Sequence, residues 1–248
     1  AGMGITETTI TGFKGFDPKG VPEFVRAREA EQYSNSINDF IRIMLKGNNG
    51  GYANDWLVGD IKTNEIARLE LGLKDHRVWR TKDGVYIGSN FPSDEKLARE
   101  ETTFNVKDST TSPISRECRW DVLTAEYKGK IDAQVGMKME SDNYDQLTHE
   151  KVQNRCVIAG SIDDDPHGAP EFDWPAYYPG GVVQAKVASA EMIKHLSFWA
   201  HMGNPDGKDF IAKPFFAAHP EYDWQSKYLV DMKAQPWTFF TTTGPASR

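Results

Sequence analysis

The sequence has few cysteines, no long apolar run and no excess of positive charge. Its two cysteines, Cys118 and Cys156, are too few for a disulfide framework, although one bridge between them stays open. No stretch of about 18 apolar residues occurs, so we expect no membrane-spanning segment. The net charge of −7 argues against a general nucleic-acid or anionic-membrane surface, because such surfaces are normally basic. The composition leaves the cellular compartment undetermined.

Several familiar catalytic and metal-binding motifs are also missing. The chain has no Gly-x-Ser-x-Gly, no Walker loop, no Gly-x-Gly-x-x-Gly after a predicted strand and no His-Glu-x-x-His. The six histidines are scattered, and residues 163–165 lack the glycine and glutamate of a calcium loop, which favours a solvated turn. Both cysteines fit packed thiols better than catalytic nucleophiles. We therefore expect neither a metal nor a cofactor.

The most informative stretch is residues 47–60, a glycine- and asparagine-rich turn that leads into an apolar strand. Three glycines within five residues allow positive φ and a close approach to a ligand. Asparagine supplies a neutral amide donor that can stabilise an anion without ionising. A strand beginning near Trp56 would place Asn54 at the rim of a sheet, a rigid position for a binding group. An ordinary surface turn explains the same composition, and this alternative stays open.

Length and periodicity predict one α+β domain over residues 1–248. Apolar spacing predicts helices at about 22–33, 36–46, 113–127, 131–140 and 189–202. Alternation predicts strands at 5–10, 56–61, 65–71, 77–80, 85–89, 156–161 and 182–187, with a hairpin at Asp83-Gly84. The runs within residues 55–90 should form an antiparallel meander. In its middle strand, Arg68 and Glu70 should lie on a partly wet face.

Five segments together resemble a known family: residues 5–10, 47–60, 64–72, 89–92 and 112–116. They resemble the phospholipase B-like branch of the N-terminal nucleophile hydrolases, which is related to the acyl-coenzyme A:isopenicillin N acyltransferases. Asn-Asn-Gly-Gly-Tyr-Ala-Asn-Asp-Trp, residues 48–56, is the most specific part. The resemblance implies a four-layer αββα sandwich. It also implies a cysteine exposed by autoproteolysis that forms an acyl-enzyme, with its own α-amino group as the base.

The resemblance assigns roles to individual positions. Asn54 resembles the asparagine of the oxyanion hole, and Arg116 resembles an arginine that steadies the catalytic polar network. Arg119 is the runner-up to Arg116, and a surface helix charge is the alternative for both. Substrate-binding residues are expected at Glu7, Thr8, Tyr52 and Arg119. Where relatives tend to carry Asp-His, this chain has Asp142-Asn143, so we expect a structural turn there.

The resemblance also implies that the nucleophile lies outside this sequence, some tens of residues before Ile5. The start, Ala1-Gly2-Met3-Gly4, is neither a signal peptide nor an ordinary translation start. We therefore expect a C-terminal part of a hydrolase that acts on an amide or ester of a small acylated substrate, with an N-terminal segment carrying the cysteine as its partner. Acyl transfer to an amine and an inactive binding or structural subunit are alternatives, and a homo-oligomer stays open.

Overall fold

The computed structural model describes residues 2–242, so Ala1 and residues 243–248 lie outside it. The chain divides into two compact units, Ala1–Ser109 and Thr110–Arg248. Helices and antiparallel sheets occur in both, which confirms the α+β class. Over the part of the chain that is described, no helix has the length and apolarity needed to cross a membrane. A single domain over the full length stays a prediction.

The first unit is built on a four-stranded antiparallel meander. Its strands are β1 (Met3–Thr9), β2 (Asn54–Asp60), β3 (Glu65–Leu71) and β4 (His76–Thr81), in that spatial order. In the register, Asn54 lies opposite Thr9 on one side and Leu71 on the other. Side chains alternate between faces along each strand, so residues paired across strands share a face. The meander predicted within residues 55–90 is confirmed for β2, β3 and β4, and β1 adds a fourth strand to it.

Two helices cover the apolar face of this sheet. They are α1 (Glu23–Tyr33) and α2 (Ile37–Leu45), and Ser36 caps α2 by accepting a hydrogen bond from the Asp39 N–H. Phe40 of α2 meets Trp56 of β2 edge to face, with 5.6 Å between ring centroids. Burial of this apolar face fixes which side of β2 points toward the helices. A third helix, α3 (Glu95–Glu101), completes the unit.

The prediction that one face of β3 is partly wet is wrong, because Arg68 and Glu70 are both buried. The chain after Gly84 accounts for part of this burial. It contains no strand between residues 85 and 90, so the predicted Asp83-Gly84 hairpin is also wrong. Asn90 instead donates from its backbone N–H to Thr8 Oγ1 (3.1 Å) and from Nδ2 to the carbonyl of Thr9 (2.8 Å). The following backbone at Ser93 and Asp94 then bonds to Glu70.

Over residues 110–242, the second unit combines four α-helices and two short 3₁₀ helices (Pro170–Phe172 and Pro220–Gln225) with a three-stranded antiparallel sheet and a short hairpin. Its helices are α4 (Ser112–Glu126), α5 (Ala133–Glu140), α6 (Ala190–Lys194) and α7 (Ala212–Ala218). Its strands are β5 (Tyr144–Asp145) and β6 (Glu150–Lys151) in the hairpin, and β7 (Gln184–Val187), β8 (Ser197–Met202) and β9 (Thr238–Thr241) in the sheet. The predicted helices at 113–127 and 131–140 are confirmed.

Two predictions for this unit are wrong. The helix expected over residues 189–202 ends at Lys194, Leu196 takes a left-handed φ of 48°, and β8 follows. Pairing with β7 and β9 overrides the helical apolar spacing, and Leu196 and Met202 are exposed. The strand expected at 156–161 is a series of turns, with only an isolated bridge between Ser161 and Gly181.

Candidate functional site

Asn54 is the clearest candidate for a ligand-binding side chain. It is the first residue of β2 and its relative exposure is 0%. Neither Oδ1 nor Nδ2 has a hydrogen-bond partner among the described residues. A buried polar group left unsatisfied costs about 1–3 kcal/mol, so native proteins rarely keep one without a reason. Asn54 therefore offers a free donor, Nδ2, and a free acceptor, Oδ1, to a bound group.

The other two asparagines of the turn, Asn48 and Asn49, form hydrogen bonds within the structure. Asn48 Oδ1 accepts from the Gly50 N–H (3.0 Å), and its Nδ2 donates to the carbonyl of Gly72 (2.6 Å). Asn49 Oδ1 accepts from the Gly51 N–H at 2.9 Å. These bonds hold the turn in place, and Gly50 has a φ of 66° that favours glycine. The ordinary-turn interpretation thus fits Asn48 and Asn49 and leaves Asn54 unexplained.

Three other predicted site residues belong to the same unit. Glu7 lies opposite Trp56 and so shares the face of Asn54, whereas Thr8 lies on the opposite face and bonds to Asn90. Tyr52 is exposed, and its hydroxyl accepts a hydrogen bond from Thr9, the direct neighbour of Asn54. Glu7 is exposed, yet partial desolvation and the negative charge of Glu23 raise the pKa of its carboxyl. The structure thus places Glu7 and Tyr52 near Asn54, and Thr8 away from it.

The opposite face of the sheet carries a buried charge cluster that the sequence interpretation missed. The guanidinium of Arg68 binds the Asp55 carboxylate in a bidentate pair, with Nε 2.9 Å from Oδ1. Glu70 Oε2 lies 3.6 Å from Arg68 Nη2, and the two Glu70 oxygens accept from the N–H groups of Ser93 (2.7 Å) and Asp94 (2.9 Å). Strand register was the available signal, since Asp55 and Glu70 are paired directly across β2 and β3.

Burial sets the protonation behaviour of this cluster. Desolvation, followed by the negative charge of Asp55, raises the pKa of Glu70 to about 7, against the lowering effect of its hydrogen bonds and Arg68. Desolvation also raises the pKa of Asp55, while Arg68 opposes that shift. Two carboxylates share one guanidinium, so ionising both leaves a net negative charge in a buried place. The cluster anchors the segment before α3 through the hydrogen bonds that Glu70 accepts from Ser93 and Asp94.

The two predicted arginines lie on α4 in the second unit. Arg119 forms a bidentate pair with Asp142, at 2.8 and 2.6 Å, and its guanidinium carbon lies 4.7 Å from the centroid of the Tyr144 ring. Arg116 is half-buried; desolvation lowers the pKa of its guanidinium, and the carboxylate of Glu171 opposes that shift. The surface-charge alternative therefore fits neither side chain. Their roles toward a substrate stay predictions.

The surroundings of both cysteines in this unit favour the protonated thiol. Both thiols are free, so the bridge left open by the sequence is not formed. Burial raises the pKa of Cys156 to about 11, as expected for a packed thiol. Cys118 is exposed, so its expected packing is wrong, and desolvation with the charges of Asp121 and Glu117 raises its pKa as well. A raised pKa keeps the thiol protonated and weakly nucleophilic at neutral pH.

The acidic turn and the Asp142 segment both have structural partners. Asp163 and Asp164 each contact the amine of Lys208, at 2.7 and 2.8 Å, and Asp165 accepts from the Arg155 N–H at 3.1 Å. Asp142 pairs with Arg119 and accepts from the Tyr144 N–H, which agrees with the predicted turn. Within residues 2–242, no cluster of three or more histidine, cysteine or carboxylate side chains could hold a metal ion.

Similarity to known proteins does not decide the function. No family model matches this chain, and comparison with the curated proteins finds no match. The candidate site thus stands on Asn54 and its surroundings.

Proposed function

We propose that this chain is part of an N-terminal nucleophile hydrolase, similar to the phospholipase B-like branch, that cleaves an amide or ester bond of a small acylated substrate. The observation that carries the proposal is the fully buried carboxamide of Asn54, which has no hydrogen-bond partner in the described part of the chain. The antiparallel meander covered by α1 and α2 would form one sheet and one helical layer of a four-layer αββα sandwich.

Attack on an acyl carbon requires a hydrogen-bond donor for the developing oxyanion, and the neutral amide of Asn54 can supply it. Attack on an acyl carbon moves negative charge onto the carbonyl oxygen, and a donor that is already fixed and desolvated stabilises this charge without reorganising. Residues on both sides hold Asn54 in the sheet register, which keeps its side chain on a rigid element. One such donor contributes about 3–4 kcal/mol to lowering the barrier.

The nucleophile in this proposal is the N-terminal cysteine of a segment outside the 248 residues. Cys118 and Cys156 do not fit this role, because the pKa of each thiol is raised. The cysteine attacks the acyl carbon while its α-amino group takes the thiol proton. That proton passes to the leaving amine or alcohol as its bond to the acyl carbon breaks, and water then attacks the thioester, which releases the acyl group as an acid and regenerates the thiol. Arg116 would steady the polar network, with Arg119 as the second choice.

The experiment is an acylation assay on material purified from the natural source without denaturation. Intact-mass analysis and N-terminal sequencing should reveal a companion polypeptide that begins with cysteine. A reactive acyl probe should then label that cysteine, and Cys118→Ser should leave the labelling unchanged. Recovery of this chain without a companion that has an N-terminal cysteine, serine or threonine would instead indicate an inactive binding or structural subunit.

A further inference from the structure

The second unit contains an open cavity whose walls include two backbone bridges. Residues 160–162 bond to residues 180–182 through two N–H···O hydrogen bonds of 2.8 Å, and Phe210 and Met232 exchange two bonds of 2.9 Å. Gly181 has a φ of 146°, and a Cβ at this position would lie 2.7 Å from a backbone oxygen across the first bridge. Hydrogen bonds and close backbone packing therefore preform a site of about 90 Å³, and all of its lining residues belong to the second unit.

One part of the lining is apolar and opens to water. Its side chains include Val182, Val183, Phe210, Leu229, Val230 and Met232. Val183 is 46% exposed and Val230 is 74% exposed, so apolar surface there stays in contact with water. An apolar cavity of about 150 Å³ holds one benzene molecule, so about 90 Å³ has room for roughly four carbon atoms. Covering this wall with an alkyl chain strengthens binding by about 4-fold for each CH₂ group.

The other part of the lining is polar, better buried and negatively charged. Ser161 and Asn204 are 6% and 5% exposed. The amine of Lys208 contacts Asp163 at 2.7 Å and Asp164 at 2.8 Å, so two carboxylates share one ammonium and leave one net negative charge. Asp163 Oδ1 accepts no hydrogen bond from the described residues, and Ser161 Oγ keeps one lone pair after accepting from Asn204 Nδ2 at 3.1 Å. Two acceptors are therefore available to a ligand.

We propose that this cavity binds a small aliphatic primary amine in its ammonium form. The ammonium group donates to Asp163 Oδ1 and Ser161 Oγ, and the alkyl chain packs against the apolar wall. The Asp163 side chain is only 11% exposed, so little water screens its attraction for a cation. The site does not involve Asn54, and the inference is independent of the proposed hydrolase function.

Ligands with the same chain and another head group fit less well. A carboxylate meets the net negative charge, and two of the three donors of Lys208 already bind Asp163 and Asp164. A neutral alcohol has one O–H, so it donates to only one of the two acceptors and lacks the charge, which lowers its affinity by at least about 5-fold.

The test is a titration of the ¹⁵N-labelled chain with n-butylammonium chloride. The backbone amide resonances of Gly181 and Val182 should shift and saturate, and that of Gly59 on β2 should not move. The affinity should rise about 4-fold per CH₂ group from ethylammonium through propylammonium to butylammonium. Relative to butylammonium, n-butanol should bind at least about 5-fold more weakly and butyrate at least about 10-fold more weakly.

Two variants separate the carboxylate in the cavity from its neighbour. Asp163→Asn should weaken butylammonium binding by about 10-fold and leave the n-butanol affinity nearly unchanged, which shows that the cavity is intact. Asp164→Asn removes the other carboxylate that contacts Lys208, at a residue outside the lining whose side chain is 59% exposed. It is the matched control and should change the butylammonium affinity by less than about 3-fold.

Resonances of Gly181 and Val182 that do not respond at the highest soluble butylammonium concentration would overturn the inference. So would an affinity that does not grow with chain length, or butyrate binding as tightly as butylammonium. Equal weakening by Asp163→Asn and Asp164→Asn would also overturn it, since the amine would then respond only to the general negative charge of the surface.

Discussion

Replacing Glu70 with glutamine should remove a pH dependence from the stability of the chain. Glu70 is fully buried on β3, next to Arg68 and across from Asp55. Its pKa in the folded chain is about 7, because burial and the Asp55 charge disfavour the ionised form. An unfolded chain returns this carboxyl to its ordinary value of 4.5. Between these two values the folded state holds a proton that the unfolded state releases.

The sign and size of the effect follow from this difference. The stability that Glu70 contributes is fully present below pH 4.5 and is lost as the pH rises through about 7, because the folded state must then keep an ionised carboxylate buried. The separation corresponds to a loss of up to about 3 kcal/mol. Glutamine does not titrate. Its NH₂ group, however, faces a backbone N–H that donated to a carboxylate oxygen of Glu70, and losing this hydrogen bond lowers the stability by about 1–3 kcal/mol at every pH.

Urea unfolding at a series of pH values measures this difference. Glu70→Gln should be less stable than the wild type at low pH and approach it as the pH rises. Glu95→Gln, which changes an exposed glutamate in the first turn of α3, is the matched control and should follow the wild-type pH dependence. Wild-type and Glu70→Gln curves that stay parallel across pH 4.5 to 7 would refute the reasoning.

Two further stability predictions concern the second unit and use the same unfolding assay. Arg119→Met should cost about 1–3 kcal/mol, because it leaves Asp142 without its bidentate partner; Arg42→Met, at an exposed pair in the first unit, should change stability by less than about 1 kcal/mol. An equal effect of the two would contradict the account. Leu196→Gly should stabilise the chain by about 1 kcal/mol by relieving the left-handed φ of an exposed leucine, and Leu196→Ala should not.

Much of the first unit was predictable because most of its elements have one dominant period, although the sequence did not predict α3. The helix at Ile37–Leu45 has a serine cap and helical apolar spacing, and the strand at Glu65–Leu71 alternates throughout. Alternation tells which side chains share a face but not what covers that face. The burial of Arg68 and Glu70 depends on long-range packing, including the segment at Ser93 and Asp94, and was therefore out of reach.

The second unit was harder because its apolar residues satisfy two periods at once. Residues 197–202 fit a helical stripe as well as a strand, and partner strands more than ten residues away decided the outcome. For the candidate site, the sequence predicted Asn54 at the rim of a sheet, just before a strand at 56–61, and Asn54 is the first residue of β2. The contacts that make Asn48 and Asn49 structural and leave Asn54 unsatisfied could not be predicted, since they depend on packing and not on residue type.

The most direct test of the central claim is the acylation rate of Asn54→Ala in the complete enzyme, measured in a single turnover. Loss of the Asn54 donor should lower this rate by about 10²- to 10³-fold. Asn35→Ala, which changes an exposed asparagine before α2, should acylate at the wild-type rate. A folded Asn54→Ala enzyme that also acylates at the wild-type rate would remove Asn54 from the oxyanion hole and contradict the proposed function.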